Sequence, residues 1–392
     1  MKKIIIIIFC ISFAFGQFAR VQLGDVGITA LDIVVSVISF VTLIRVLVKK
    51  QPHGDIYKYS GLFLISGLLG LVLNSPNLEL PEVIISSLYL IRLILYGGIY
   101  FWVRSFTLEE RRVAVSSLVG SGIFIVAVGF IQFFYYPDLR NLYYLGWDDH
   151  LYRLFSVFFD PNFAGAFLVL FILFLVDLLR HTKDKIVQRM YGVVISLSIF
   201  AVFLTHSRTG FIMLVIGSLF YLIKYVSRRT AVVVCGVLLL ILLVTSNTAI
   251  EGLNPLRAAS SQARVDSAHN AVKIFQTKPI FGVGLNSYRY AQIHMGLRKE
   301  NPLYSTHADA GTDNSYLFVL ATTGIIGALF FVLLWRKVLI HAMAVARSDH
   351  FPSRGYVSGL VAVLVGSLFL NIIFYPMILL WVVVQAGLIR SK

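Results

Sequence analysis

The stretch "YGVVISLSIFAVFLTHSRTGFIMLVIGSLFYLIKY", residues 191–225, decides the fold class. Two apolar runs, 190–205 and 209–226, flank a short polar break, His206-Ser207-Arg208-Thr209-Gly210. Each run approaches the ~20 residues that a helix needs to cross a bilayer. A hairpin of two membrane helices fits this pattern, and the arginine at its tip is then the residue to explain.

The rest of the chain agrees. Of 392 residues 58% are hydrophobic and only 14% charged, against about 25% charged in soluble domains. The apolar runs lack the period-two alternation of a membrane β-barrel. The expected fold is all-α, a polytopic membrane bundle of about 12 helices. The predicted spans are 4–18, 28–48, 57–74, 83–103, 113–134, 154–179, 190–205, 209–226, 231–247, 315–334, 355–373 and 375–389. Pro161 interrupts the sixth, whose first turn is a candidate re-entrant stretch. The opening "MKKIIIIIFCISFAFG" fits a signal peptide or a first helix. No small-x-small cleavage site follows it, which favours retention of residues 1–18 as a helix.

A formal charge of +15 invites a nucleic-acid reading, but no basic stripe with interleaved aromatics supports one. Most of the 34 basic residues fall instead in alternate connections between spans, as the positive-inside rule requires. Four short connections on the opposite side, 19–27, 74–82, 135–153 and 374, supply only Arg20, Arg140 and Arg153. Both termini are therefore expected in the cytoplasm. Cys10 and Cys235 lie in separate apolar runs, so no disulfide framework is implied. No internal repeat of the transporter kind is evident.

This topology puts Arg208 at the outer face, together with the long hydrophilic segment 248–314. An arginine flanked by Ser207 and Thr209 hydroxyls, with Gly210 admitting close backbone approach, suits a phosphate ligand. The bland alternative is an arginine snorkelling toward headgroups. Within the outer segment, "SSQARVDSAHNAVKIFQ" reads as an amphipathic helix lying on the membrane surface or over a cavity. Val265, Ala268, Val272 and Phe275 form its apolar stripe, while Arg264, Asn270 and Lys273 point elsewhere. "TKPIFGVGLNSY" follows, turning sharply at Pro279, Gly282 and Gly284. Arg264 and Arg289, with Lys273 and Lys278, are solvated surface charges taken singly; as a set they are able to neutralise a diphosphate.

Other polar residues stand in apolar context. Arg92, mid-helix in "LYLIRLILYGG", needs a partner or a polar cavity, and both readings stay open. In "LFSVFFDPNFAGAF", Asp160 is a good N-cap and Pro161 a good first helical residue; with Arg153 and Asn162 they also suit a cavity wall. His307, Asp309 and Asp313 in "STHADAGTDNSYLFVLATTGIIG" are the outer general-base candidates. The spacing of Asp309 and Asp313 lacks a specific metal signature, so no metal site is expected.

Three pieces in order, "SRTG", a helix ending in "KPIFGVGLNSY", and "DNSYLFVLATTGIIG", together with the upstream "DPN", resemble the O-antigen ligase/polymerase superfamily over roughly 150–335. That resemblance implies a GT-C-like membrane glycosyltransferase of the bacterial inner membrane, inverting and metal-independent, with no cofactor. Its active site is implied at the periplasmic face. The implied partners are an undecaprenyl-diphosphate-linked oligosaccharide, an acceptor glycan or lipid-linked glycan, membrane lipids and a chain-length regulator protein, with no nucleic acid.

The ligase motif is His, then Asn, Ser or Gln, nine residues, Gly, two residues, then Gly, Thr or Tyr. Asn314, Gly324 and Gly327 match it, whereas Asp313 stands in the His position. The resemblance thus implies Asp313 or His307 as base and Arg208, Arg264 and Arg289 on the diphosphate. Ser207, Thr209, Arg92, Arg153, Asp160, Asn162 and Asn314 are the substrate-cavity candidates. The departure at Asp313 moves the expectation toward a polymerase, with ligase as the alternative and a lipid-linked-glycan flippase as a third reading. The implied organisation is 1–150, N-terminal helices; 151–335, the core with loop 248–314; and 336–392, a C-terminal hairpin.

Overall fold

The computed structural model describes residues 2–23, 26–48, 55–145, 147, 150–234, 236–237, 258–298, 310–347 and 352–389. The helices in chain order are α1 (Lys2–Phe15), α2 (Ala30–Val48), α3 (Asp55–Asn74), α4 (Leu80–Arg104), α5 (Leu108–Tyr135), α6 (Pro161–His181), α7 (Lys185–Leu204) and α8 (Arg208–Tyr225). There follow α9 (Ala258–Thr277), α10 (Tyr288–His294), α11 (Ser315–Ala346), α12 (Ser353–Gly366) and α13 (Pro376–Leu388). Among the described residues nine helices are long and apolar enough to cross a bilayer. The chain is a polytopic helical membrane protein. An antiparallel hairpin between α1 and α2, β1 (Arg20–Leu23) with β2 (Val26–Thr29), was not expected; it pairs Arg20 with Thr29 and Leu23 with Val26.

The sequence sets the helix limits through local chemistry. Thr107 and Glu110 form a reciprocal capping box at α5, which satisfies two N–H groups that a helix start leaves orphaned. Asp184 caps α7 through Ile186 N–H. On α2, Ile33, Val37, Phe40 and Ile44 are exposed at three- and four-residue spacing, a stripe that lipid covers. By contrast α6 is hydrophobic all round, and such a helix belongs in the interior. It packs on α7, α8 and α12, and Phe167, Phe171 and Phe174 surround the Trp381 ring of α13.

Two spans have limits that differ from expectation. The sixth helix begins at Pro161, not 154, because Asp160 caps it by accepting from Asn162 and Phe163 N–H. The preceding Ser156 and Phe159 have positive φ. The predicted span 355–373 ends at Gly366. Carbonyls just beyond it serve the start of α11 instead: Ser315 N–H donates to Ser367 O (2.9 Å) and Asn314 Nδ2 to Leu368 O (2.9 Å). Most of the ninth predicted span, 231–247, lies outside the described residues.

The most consequential departure is inside α11. Gly324 has φ 64° and ψ −169° and breaks the helix. The rings of Tyr316 and Phe331 lie 6.1 Å apart, whereas fifteen residues of straight helix advance about 22 Å. The two halves of α11 therefore meet at a sharp bend. The segment 279–284 fills that bend. Val283 and Gly284 N–H donate to the carbonyls of Ala321 and Thr322 (3.1 and 2.9 Å), and Ile325 N–H donates to Pro279 O (2.9 Å). Asn74 Nδ2 also donates to Val283 O (3.0 Å), tying the segment to the end of α3. Backbone groups freed by the break are thus re-satisfied within the protein, as a membrane interior demands.

Candidate active site

Four helix starts meet around one polar region. Their N-caps are Asp160 for α6, Ser207 for α8, Asn314 for α11 and Tyr375 for α13. Helix N-termini carry partial positive charge and unsatisfied N–H groups, so this gathering favours an anion. Glycines let the first two approach closely: a Cβ on Gly165 would stand 3.6 Å from Gly210 Cα and 3.1 Å from Thr205 Oγ1.

Arg153 holds the α6 and α8 starts together. Its Nε donates to Thr205 O (2.9 Å), and one terminal nitrogen reaches Asn162 Oδ1 (3.3 Å) and His206 O (3.4 Å). The other faces His150 Nδ1 at 3.3 Å. His206 takes positive φ at the tip of the hairpin. Burial, with Arg153 adding to it, lowers its pKa to about 4, so it is neutral at neutral pH. Ser207 Oγ accepts from Gly210 N–H (3.1 Å). Ser207 and Thr209 are fully buried, while Arg208, the first residue of α8, is half-buried between them.

Asp313 and Asp160 face the same region. Burial raises both carboxyls above the usual range, Arg153 opposing the rise at Asp160 and Arg264 opposing it at Asp313. The Asp313 charge also acts on Asp160. The Asp313 N–H donates to Ser267 Oγ (3.2 Å), which bonds Thr312 Oγ1 at 2.9 Å. Tyr288, fully buried on α10, lies beside Thr312 and Asp313. Arg289 is the next residue of α10 and is half-buried.

These contacts correct the reading of α9. Its buried residues are Ala271 and Ile274, with Arg264, Ser267 and Ala268 half-buried on the same face, whereas Val265 and Val272 are exposed. Arg264 therefore points toward the protein and acts on Asp313 rather than pointing away. Arg264 and Ser267 share the buried face with Ala268, Ala271 and Ile274, so the apolar stripe read from hydrophobicity lies partly round the helix from it, with Ala268 and the half-buried Phe275 common to both. Lys273 and Lys278 are exposed.

Arg92 also finds a partner. Its Nε lies 2.7 Å from Asp32 Oδ1, and Tyr96 Oη donates to the same oxygen at 2.5 Å. Although central in α4, Arg92 stands level with the first turn of α2 and the start of α13, since Asp32 belongs to the former and Pro376 lies close by. The adjoining Tyr375 ring stacks on Phe163 at 4.0 Å, and its hydroxyl feels the charges of Asp160, Arg20 and Arg92. Of these, Asp32 was missed in the sequence; a lone carboxylate in the first turn of an apolar run was the available signal. Tyr288, Ser267 and Tyr375 carried none. His307 and Asp309 lie outside the described residues.

Residues 192–332 match the family model described as O-antigen ligase. That stretch holds Arg208, Arg264, Arg289, Asp313, Asn314 and the Gly324 break. It bears out the resemblance to the O-antigen ligase/polymerase superfamily, and the family implies a glycosyltransferase-like enzyme acting on a lipid-linked glycan and an acceptor. Arg92, Arg153, Asp160 and Asn162 fall outside the matched stretch. No curated protein matches the chain.

Proposed function

We propose that the protein is a cell-surface polysaccharide polymerase of the bacterial inner membrane. It transfers a glycan from undecaprenyl diphosphate to an acceptor sugar hydroxyl at the outer face, with both termini in the cytoplasm. The carrying observation is the meeting of four helix N-termini and Arg153 with the half-buried carboxyl of Asp313. Positive ends and arginines suit the diphosphate and the charge that develops on it as it leaves.

Arg208 clamps the diphosphate, with Arg264 and Arg289 as partners, and these fixed charges take the role a metal ion plays in other transferases. The acceptor hydroxyl oxygen attacks the anomeric carbon opposite the diphosphate. The new C–O bond forms as the bond to the phosphate oxygen breaks, inverting that carbon. The hydroxyl proton passes to Asp313 or His307, and undecaprenyl diphosphate leaves. Burial that raises the Asp313 pKa makes this carboxylate a better base than an ordinary aspartate. The core 151–335, GT-C-like within a bundle of about 12 spans, carries the chemistry, flanked by 1–150 and 336–392. A chain-length regulator is the expected protein partner.

The matched family description favours the ligase as a second reading. A gel of lipid-linked and surface polysaccharide from a deletion strain separates the two. Single repeat units on the normal acceptor, with no ladder, indicate a polymerase. Long chains retained on undecaprenyl diphosphate indicate a ligase.

A further inference from the structure

Beneath the polar site lies a cavity of about 700 Å³ whose wall is almost wholly aliphatic and aromatic. α3 packs chiefly on α11, and α4 on α2 and α13; the cavity occupies the space between them. It extends along α13 from Phe374 and Leu379 to Ile389 and ends near Leu47 on α2. The cavity is open rather than enclosed, and its wall includes the exposed Leu47 and Ile94; an opening between membrane-spanning helices faces lipid.

At the other end it adjoins a small pocket lined by Tyr89, Arg92 and Tyr96, the two sharing Leu93, Phe374 and Leu379. Arg92 and its neighbours therefore stand at the junction between an apolar channel and the polar region of Tyr375 and Asp160. Two glycines leave room on the wall. A Cβ on Gly61 or on Gly97 would meet nothing within 4 Å, and both residues line the cavity.

At its mouth Arg92 and Arg20 stand close to a single carboxylate, Asp32, and an apolar channel ending at that excess of positive charge fits an amphiphile with a hydrocarbon chain and an anionic head. Resting on the function proposed above, we infer that this cavity holds the isoprenoid chain of the donor, with Arg92 at the neck where chain gives way to diphosphate. Chain burial then anchors the donor by its non-reacting part, and the reacting end is presented to the outer cluster.

The test uses the full-length protein in nanodiscs with undecaprenyl diphosphate lacking sugar, in a form carrying a diazirine on the chain. Photolabelled residues are mapped by peptide mass spectrometry, and affinity is measured alongside. Labelling of α3, α4 and α13 residues on the cavity wall is expected. Gly97→Phe projects a ring from a wall position where an added Cβ meets nothing within 4 Å, so its unfolding temperature is expected to stay near wild type. Its affinity falls at least about tenfold, the loss of roughly two buried methylene groups. Inorganic diphosphate, which has no chain to meet the filled part, binds both proteins alike. Binding with labels elsewhere, or unchanged affinity in Gly97→Phe, overturns the inference and leaves the proposed function standing. No binding of undecaprenyl diphosphate to wild type overturns both.

Discussion

Replacing Gly324 by alanine tests the bend on which the site depends. The residue sits at φ 64° and ψ −169°, a backbone region essentially reserved for glycine, where another residue costs about 1–3 kcal/mol. Its new Cβ would also stand 2.2 Å from Ile280 O and 2.5 Å from Phe281 N. Since backbone atoms on the 279–284 segment cannot yield as a side-chain tip would, the segment must move away. It then strains the bonds of Val283 and Gly284 to Ala321 and Thr322 and of Ile325 to Pro279, each worth about 1 kcal/mol net. A loss of about 3–5 kcal/mol is expected from these terms together. In detergent the unfolding midpoint should fall by at least about 5 °C, with new proteolysis between 278 and 287. Gly192→Ala is the control: its Cβ meets nothing within 4 Å, so the midpoint should hold. A Gly324→Ala protein with the wild-type midpoint and wild-type proteolysis would refute the reasoning.

Further outcomes follow from the same contacts. Arg153→Ala removes the donor shared by Thr205, His206 and Asn162 and should cost about 2–3 kcal/mol in unfolding free energy. Arg153→Lys should recover only part of it, because a lysine cannot span three acceptors in different directions. If Asp313 is the base, its carboxylate is the active form, so transfer declines as pH falls through a pKa held above the ordinary range by burial. Asp313→His should move that limb to about 6.5. Because the folded chain holds this proton more tightly than the unfolded one, stability drops as pH rises through the same window; Asp313→Asn should unfold at pH 7 no sooner than wild type while losing transfer. Asp32→Ala strands the Arg92 charge and should cost about 3–5 kcal/mol, whereas Asp32→Leu with Arg92→Met should cost less.

Most of the bundle was legible because a bilayer demands long apolar runs, and those runs are visible without any structure. The caps were legible as well: Asp160 before Pro161 marked a helix start, and the structure begins α6 there. What escaped was set by partners distant in sequence. The apolar residues after Gly366 continue the hydropathy of a span, yet their carbonyls are taken by Ser315 and Asn314. Gly324 lies inside an unbroken apolar run, and only the insertion of 279–284 reveals why a glycine is needed. In α9 Arg264 and Ser267 share the inward face with Ala271 and Ile274, so the apolar pattern was read partly round the helix from it. Arg208, Asp313 and Asn314 were legible because polar residues at the edge of apolar runs are conspicuous. Arg153 as the link between two helix starts was not, since its acceptors are mainly backbone carbonyls.

The central claim is that a lipid-linked glycan is transferred at a site clamped by Arg208. The direct measurement is transfer in proteoliposomes from a synthetic undecaprenyl-diphosphate oligosaccharide, comparing wild type, Arg208→Lys and Arg208→Ala at equal folded protein. Arg208→Ala should lose at least about a hundredfold in rate, as removal of one strong charge-stabilising donor does elsewhere, with Arg208→Lys retaining a measurable part. Wild-type rates in Arg208→Ala would contradict the account.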